Sequence, residues 1–366
     1  MNTLKNRYLS LDVFRGLDVA LMILVNSPGR GETTFAPLMH ASWHGFTLTD
    51  LVFPTFLFVV GNSMSFSTKK YELMGNSAFF KKILKRASII FLLGFLMYWF
   101  PFFENGQLKP LEETRIFGVL QRIALCYLFA SVLLHYVKIK GAIIFSIIAL
   151  ISYHLILIIF GDLTLEGNAI LKFDTWVMGV NHMYHGEGIA FDPEGLLSTL
   201  PGIVNVVAGY LTGKFIQKNG QNYETISKLL MIGFAFILVA LAWDMTLPIN
   251  KKLWTSSFVL LTTGIDLFVI AILVYLLDMS KTFKWTYFFE VFGKNTLFIY
   301  LLSELFIISL FHIDIKGTTA YSWIAENLFI SWAGGYVGSF LFALWVMLSC
   351  WFVGYILDKK MIYIKV

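Results

Sequence analysis

Apolar residues in this chain run in long unbroken blocks of roughly twenty, separated by short polar stretches, with no period-two alternation inside the blocks. Blocks of that length are long enough to cross a bilayer. Continuous apolar runs select helices over a closed barrel, because only these two arrangements satisfy backbone polar groups in lipid. The blocks fall at residues 9–28, 47–67, 87–103, 116–136, 141–160, 196–213, 229–247, 255–277, 287–311 and 332–357. The expected fold is therefore all-α and polytopic, with about ten transmembrane helices. No repeat, low-complexity tract or linker divides the chain, so residues 1–366 read as a single transmembrane domain. The N-terminal block lacks a small-residue cleavage site and reads as a retained first span.

Composition agrees with this pattern. The 366 residues are 57% hydrophobic and 14% charged, far more apolar than a soluble domain. A net charge of +5 in such a chain reports topology and gives no sign of a nucleic-acid partner. Lys5, Arg7, Lys69, Lys70, Lys81, Lys82, Lys85, Arg86, Lys138, Lys140, Lys214, Lys218, Lys228, Lys281, Lys284, Lys359, Lys360 and Lys365 crowd one set of loops, and the opposite set holds only Arg30, Lys109, Arg115, Lys172, Lys251, Lys252 and Lys316. The positive-inside rule then places both termini in the cytoplasm and the longer loops, 29–46 and 161–195, on the outer face. Cys126 and Cys350 lie inside apolar runs and read as packing residues.

Ionisable groups beside spans are costly without partners and mark candidate chemistry. His40 and His44, with Trp43 between them, stand on the outer loop just before Asp50 opens the second span. His40 suits a proton acceptor or a transient acyl carrier, since an imidazole titrates near neutrality. Asp50 is either a helix cap or the group that fixes a neighbouring histidine's tautomer. Asn26, at the outer end of the first span, is either a helix stop or an amide that stabilises a developing oxyanion. Asp12 and Arg15 share a helix face, as a boundary ion pair or as a cation offered to a phosphorylated donor. Gln121 and Arg122 stand inside an apolar run, where a buried arginine needs an acid, a phosphate or carbonyls. Asp192 and Glu194 precede a span as caps or ligands, and Lys294 and Glu304 add intramembrane charge. His182, His185 and Glu187 resemble a zinc set only weakly, and no metal is expected.

Several of these residues sit in motifs with a familiar order. Arg7-Tyr8-Leu9-Ser10-Leu11-Asp12-Val13-Phe14-Arg15-Gly16, His40-Ala41-Ser42-Trp43-His44-Gly45 and Asp50-Leu51-Val52-Phe53-Pro54 resemble the heparan-α-glucosaminide N-acetyltransferase family. Gly118-Val119-Leu120-Gln121-Arg122, Asp192-Pro193-Glu194-Gly195 and Asn250-Lys251-Lys252-Leu253-Trp254 resemble its later motifs in the same order. The resemblance implies a transmembrane acetyltransferase that takes acetyl from cytoplasmic acetyl-CoA and delivers it to an amino sugar or glycan on the far side. By the family pattern His40 matches the active histidine and Asn26 its asparagine, with Asp50 beside them. Arg15, Gln121, Arg122 and Lys294 are then candidates for the donor, and Trp43, His44, Asp192 and Glu194 for the acceptor. One position departs, since this chain has His44 where the family often carries Asn. The animal members have an additional lumenal N-terminal region, so the sequence looks like a compact bacterial form, set in the inner membrane and able to dimerise. A proton-coupled transporter built on His40, Asp50, Arg122 and Glu304 is the competing class, and a silent membrane scaffold a third.

Overall fold

The computed structural model describes residues 8–72, 74–104, 106–280 and 285–364. Lys5, Arg7, Lys281, Lys284 and Lys365 of the charge asymmetry lie outside the described residues. What remains is almost entirely helical. The long helices are α1 (Leu9–Asn26), α2 (Leu48–Glu72), α3 (Asn76–Trp99), α4 (Val119–Tyr136) and α5 (Lys138–Phe160). A short α6 (Ala169–Met178) precedes α7 (Thr199–Asn219), α8 (Tyr223–Asp244) and α9 (Ser256–Leu273). The C-terminal part holds α10 (Thr286–Lys294), α11 (Thr296–His312), α12 (Ala320–Ile324), α13 (Ser331–Ala333) and α14 (Gly335–Lys359). Strand is confined to two small antiparallel hairpins, Phe103–Glu104 with Gln107–Leu108 and Asp314–Ile315 with Thr318–Thr319.

Each expected span lies on helix, yet length and composition alone qualify fewer of them to cross a membrane. Among the described residues six helical stretches do so: Leu48–Ser67, Val119–Tyr136, Lys138–Phe160, Tyr223–Asp244, Ser256–Met279 and Gly335–Lys359. The pair α10 and α11 makes a seventh if its two arms, bent by 85°, are taken together. α1, α3 and α7 fall short for a physical reason. α1 carries Asp12, Arg15 and Asp18, α3 opens on Lys81, Lys82, Lys85 and Arg86, and α7 is diluted by Asn205, Thr212, Lys214 and Lys218.

Contacts divide the chain into two units. The first takes residues 8–40, 47–52 and 270–364. In it α1 lies against α10 at glycine-lined contacts. A Cβ on Gly16 would stand 1.8 Å from the Phe289 carbonyl oxygen, and one on Gly293 would stand 2.5 Å from that of Asp12. The amino end of α1 is capped from a distance: the Asp278 carboxylate accepts from the Leu9 amide at 3.0 Å and from the Ser10 hydroxyl. A carboxylate there meets orphan amides and the positive helix end together. Between α10 and α11 Asn295 leaves helical geometry, and its amide binds the Ile362 carbonyl and the Ile364 N–H. Side-chain amides compete with the backbone ladder in this way, which breaks an otherwise continuous apolar helix.

The second unit takes residues 41–46 and 53–269. Its α2 and α7 cross closely, since a Cβ on Gly61 would meet the Val206 oxygen at 1.8 Å and one on Gly209 the Phe58 oxygen at 1.8 Å. Paired small residues allow such backbone approach between apolar helices. Tyr153 and Leu157 of α5, Ala169 and Ile170 of α6, Phe191, Leu247 and Leu253 form a buried cluster against which Trp43 packs. That cluster holds the long 161–198 connection in place beside the ends of α4 and α7.

Candidate functional site

The first unit assembles a histidine–carboxylate pair at the start of α2. Thr47-Leu48-Thr49-Asp50 is a capping box: the Asp50 Oδ2 accepts from the Thr47 N–H and the Thr47 hydroxyl, each at 3.0 Å. The same carboxylate offers Oδ1 to His40 Nδ1 at 2.7 Å. Asp50 is buried, while the His40 side chain is 45% exposed, so a fixed acid holds a ring that solutes can reach. A carboxylate only accepts, so Nδ1 carries the hydrogen and the basic lone pair sits on Nε2. Cap and tautomer setter were alternative readings of Asp50; its two oxygens perform both. Asn26, at the end of α1, donates through Nδ2 to Glu304 Oε1 of α11 at 3.3 Å. This gives the intramembrane charge of Glu304 a partner.

At the other end of α1, Arg15 pairs with Asp12 at 3.5 Å and donates to the Gly293 carbonyl at 3.3 Å. Next along α10, Lys294 contacts both oxygens of Asp358, at 2.9 and 3.0 Å. Two of the expected donor-side cations therefore meet at the α10–α11 break, both partly exposed. Asp12 and Asn26 are fourteen residues apart on one helix, which separates the cationic end of α1 from its Asn26 end by about 21 Å.

The second unit holds the remaining candidates in two groups. Arg115, read from the sequence only as a loop charge, is the centre of the first. It grips Asp192 with two hydrogen bonds, at 2.9 and 2.6 Å, and reaches Glu194 at 2.7 Å. Tyr98 and Tyr184 flank its guanidinium at 4.9 and 4.8 Å. Asp192 and Glu194 thus serve a cation rather than the amino end of α7. Burial pushes the Asp192 carboxyl up despite its bond to Arg115. Burial acts the same way on Glu194, but Arg115, Lys251 and Arg122 outweigh it and hold that carboxyl below its ordinary value.

Arg122 is fully buried, its guanidinium over Trp254 at 4.8 Å. It donates to the Gly195 carbonyl at 3.1 Å and to the Ser198 hydroxyl. Its partners are a carbonyl, a hydroxyl and a ring, and among the described residues no acid pairs with it directly. Its Nε and Nη1, and both amide atoms of buried Gln121, have no hydrogen-bond partner among the described residues. Close by, Asp174 of α6 accepts from the Leu196 and Leu197 amides at 3.1 Å each, while burial pushes its carboxyl up to about 7. A Cβ at Gly195 would fall 1.7 Å from Asp174 Oδ2, so a larger residue would have to displace that carboxylate.

The second group is an aromatic and charged patch. Trp43 donates through Nε1 to the Leu163 carbonyl at 2.7 Å and stands edge-on to Phe191. His44 Nδ1 lies 3.3 Å from the Asn250 amide, and burial lowers the pKa of its imidazole despite Asp244. Lys252 pairs with Glu187 at 2.6 Å, binds the Ser42 carbonyl and lies 5.9 Å from the Trp43 ring. Lys252 and Glu187 were not singled out as ligand contacts, although Lys252 sits in the Asn250–Trp254 motif. His182 binds the Thr114 carbonyl at 2.9 Å and braces this loop. Among the described residues no three His, Cys, Asp or Glu side chains gather as a metal-ligand set. Cys126 and Cys350 are unpaired and buried.

Comparison with known proteins identifies the family. The heparan-alpha-glucosaminide N-acetyltransferase catalytic family profile matches residues 7–249. That range takes in His40, Asp50, Asn26, Arg115, Arg122, Asp192 and Glu194. The chain is 29% identical over 369 residues to the heparan-alpha-glucosaminide N-acetyltransferase of Mus musculus, covering 82% of this chain and 53% of that protein. The Homo sapiens protein of the same name is 29% identical over 370 residues, covering 84% and 54%. The chain thus spans about half the length of the curated relatives it matches. With the profile covering most of its length, the chain belongs to the heparan-alpha-glucosaminide N-acetyltransferase family.

Proposed function

We propose that this protein is a transmembrane acyltransferase that moves an acetyl group from acetyl-CoA, entering on the cytoplasmic side, to an amino sugar or glycan at the outer face of a bacterial inner membrane. The observation that carries the reading is the 2.7 Å contact between His40 Nδ1 and buried Asp50, within a motif the family profile covers. Acyl transfer from a thioester needs a base for the incoming amine or a nucleophile that carries the acyl group. His40 Nε2 serves either chemistry. As base it takes the proton of the acceptor amine while the amine attacks the thioester carbonyl and the C–S bond breaks. As carrier it forms the N–C bond itself, releases the thiol, and yields the acetyl group to the amine in a second step. Asn26, held by Glu304, supplies an amide for the developing oxyanion.

The donor's phosphates suit the partly exposed Arg15 and Lys294 better than Arg122, which is sealed inside the second unit. Gln121 and Arg122, both fully buried, belong to the interior of the second unit. Trp43 with His44, Lys252 and Glu187 is the kind of aromatic and polar surface on which a sugar ring stacks and hydrogen-bonds. The test uses purified protein in nanodiscs with acetyl-labelled acetyl-CoA and glucosamine. Label should reach the sugar with the parent, and His40→Ala should lose at least about a hundredfold. Full activity of a folded His40→Ala variant overturns the mechanism.

One observation favours a second class: the 85° break between α10 and α11 at Asn295, beside Lys294 and Arg15, is of a kind that transporters use for binding. Proton-driven uptake by proteoliposomes without acetyl transfer would support that class instead.

A further inference from the structure

The second unit carries two cavities away from the groups described above. One, of about 600 Å³, opens at the turn between α4 and α5 and is lined by Ser131, His135, Lys138, Lys140, Tyr210 and Lys214. The other, of about 610 Å³, runs along α5, α7, α8 and α9 past Ile143, Ile147, Leu211, Phe215, Ile232 and Phe236, with Lys218 also in its wall. They share Ile139 and Lys214, so a basic pocket opens into an apolar groove. Among the described residues no acidic side chain lines either.

We propose that this cleft binds an anionic phospholipid, its phosphate against Lys138, Lys140 and Lys214 and an acyl chain along the groove. The proposal rests on α5 and α8 lying in a bilayer and does not depend on the acetyl-transfer reading. Three features specify the ligand. The first is charge: lysines from α5 and α7 converge on one end, where the amino terminus of the 23-residue α5 adds its own positive end. The second is an unsatisfied donor: Ser131 is 5% exposed and its hydroxyl, in the wall of the basic pocket, has no hydrogen-bond partner among the described residues. His135 beside it is fixed, held at 2.9 Å by Asn76 and stacked on Phe79 at 3.9 Å. The third is the groove's chemistry. Two of its hydroxyl hydrogens are already spent, Ser146 on the Ala142 carbonyl at 2.8 Å and Thr212 on the Ala208 carbonyl at 2.9 Å. Thr263 accepts from Asn205. A pantetheine arm has two amides for which this largely apolar wall offers few partners, whereas an acyl chain asks for nothing polar. The observations therefore favour a lipid over a nucleotide thioester.

The experiment measures lipid retention by native mass spectrometry, and melting temperature, of the full chain in detergent. Phosphatidylglycerol, phosphatidylcholine and CoA are added separately, and CoA also in competition. The parent should retain phosphatidylglycerol over phosphatidylcholine and melt higher with it. A Lys138→Gln, Lys140→Gln, Lys214→Gln triple variant should lose that preference, and Lys140→Gln alone should weaken retention by about fivefold. Ala208→Trp, which fills the groove, should reduce retention of both lipids. Equal retention by the parent and all variants overturns the site. So does displacement of phosphatidylglycerol by CoA, which would give the pocket to the donor. If the triple variant fails to fold, the single lysine variant and Ala208→Trp decide between the same outcomes.

Discussion

His40 and Asp50 show how one residue is read twice. Ten positions apart across a loop, they carry no helical or strand spacing that would pair them, and in the sequence a tautomer-setting acid was one of two readings of Asp50. The capping box explains the outcome, because holding Oδ2 on Thr47 leaves Oδ1 aimed at the ring. Asp50→Asn keeps the shape but puts an amide where a pure acceptor stood, so it should cut kcat by about 10²–10⁴ with little effect on melting. A melting loss equal to Ala would show that the cap alone matters. Arg115 was not legible in the same way. Its partners lie 77 and 79 residues downstream, and an isolated loop cation reads as topology until the fold brings Asp192 and Glu194 to it. Asp174 gives a pH signature. Burial raises its folded pKa to about 7, above the ordinary 3.8, so the folded protein binds the extra proton between those values. Stability contributed here is therefore complete below pH ~4, declines as pH rises toward 7 and is level above it, at up to about 1.4 kcal/mol per unit. Asp174→Asn, melted against pH beside the parent, should flatten that part of the profile; an unchanged slope sinks the assignment.

At the scale of elements, hydropathy located helices well and their interruptions poorly. The stretch 287–311 is apolar throughout, and a hydropathy window cannot see that Asn295 spends its side chain on residues 362 and 364. Close crossings were equally hidden, since Gly61 and Gly209 look like ordinary dilution of an apolar run until α2 meets α7. There the helices approach to a distance at which no side chain fits. Gly209→Ala must drive α2 from α7 by more than an ångström, because the obstacle is the Phe58 backbone oxygen and not a movable side-chain tip. Overpacking of this kind costs about 1–3 kcal/mol. Gly31→Ala, with nothing within 4 Å of its Cβ, is the control and should melt like the parent. Equal behaviour of the two variants would mean that the crossing is looser than described.

For the whole molecule, charge makes a definite statement about which way the helices run through the membrane. Lysines and arginines gather near the amino end of α3, the α4–α5 turn and the end of α7, while the 161–195 connection on the other side of α5 is poorer in them. Because cytoplasmic loops retain cations, the turn after α7 should face the cytoplasm and the loop after α5 the outside. The two cysteines of the chain are buried, so new thiols report position against a low background. Gln221 and Glu166 are both exposed, one on each of those loops. Glu166→Cys should react with a membrane-impermeant maleimide in intact cells, and Gln221→Cys only after the membrane is opened. Since α5 and α7 depart in opposite senses from these loops, the pair cannot label alike if both helices span. The reverse pattern would turn the molecule over and put His40 on the side that holds acetyl-CoA. The enzyme would then need no transfer across the bilayer, and an acceptor inside the cell would replace the external glycan.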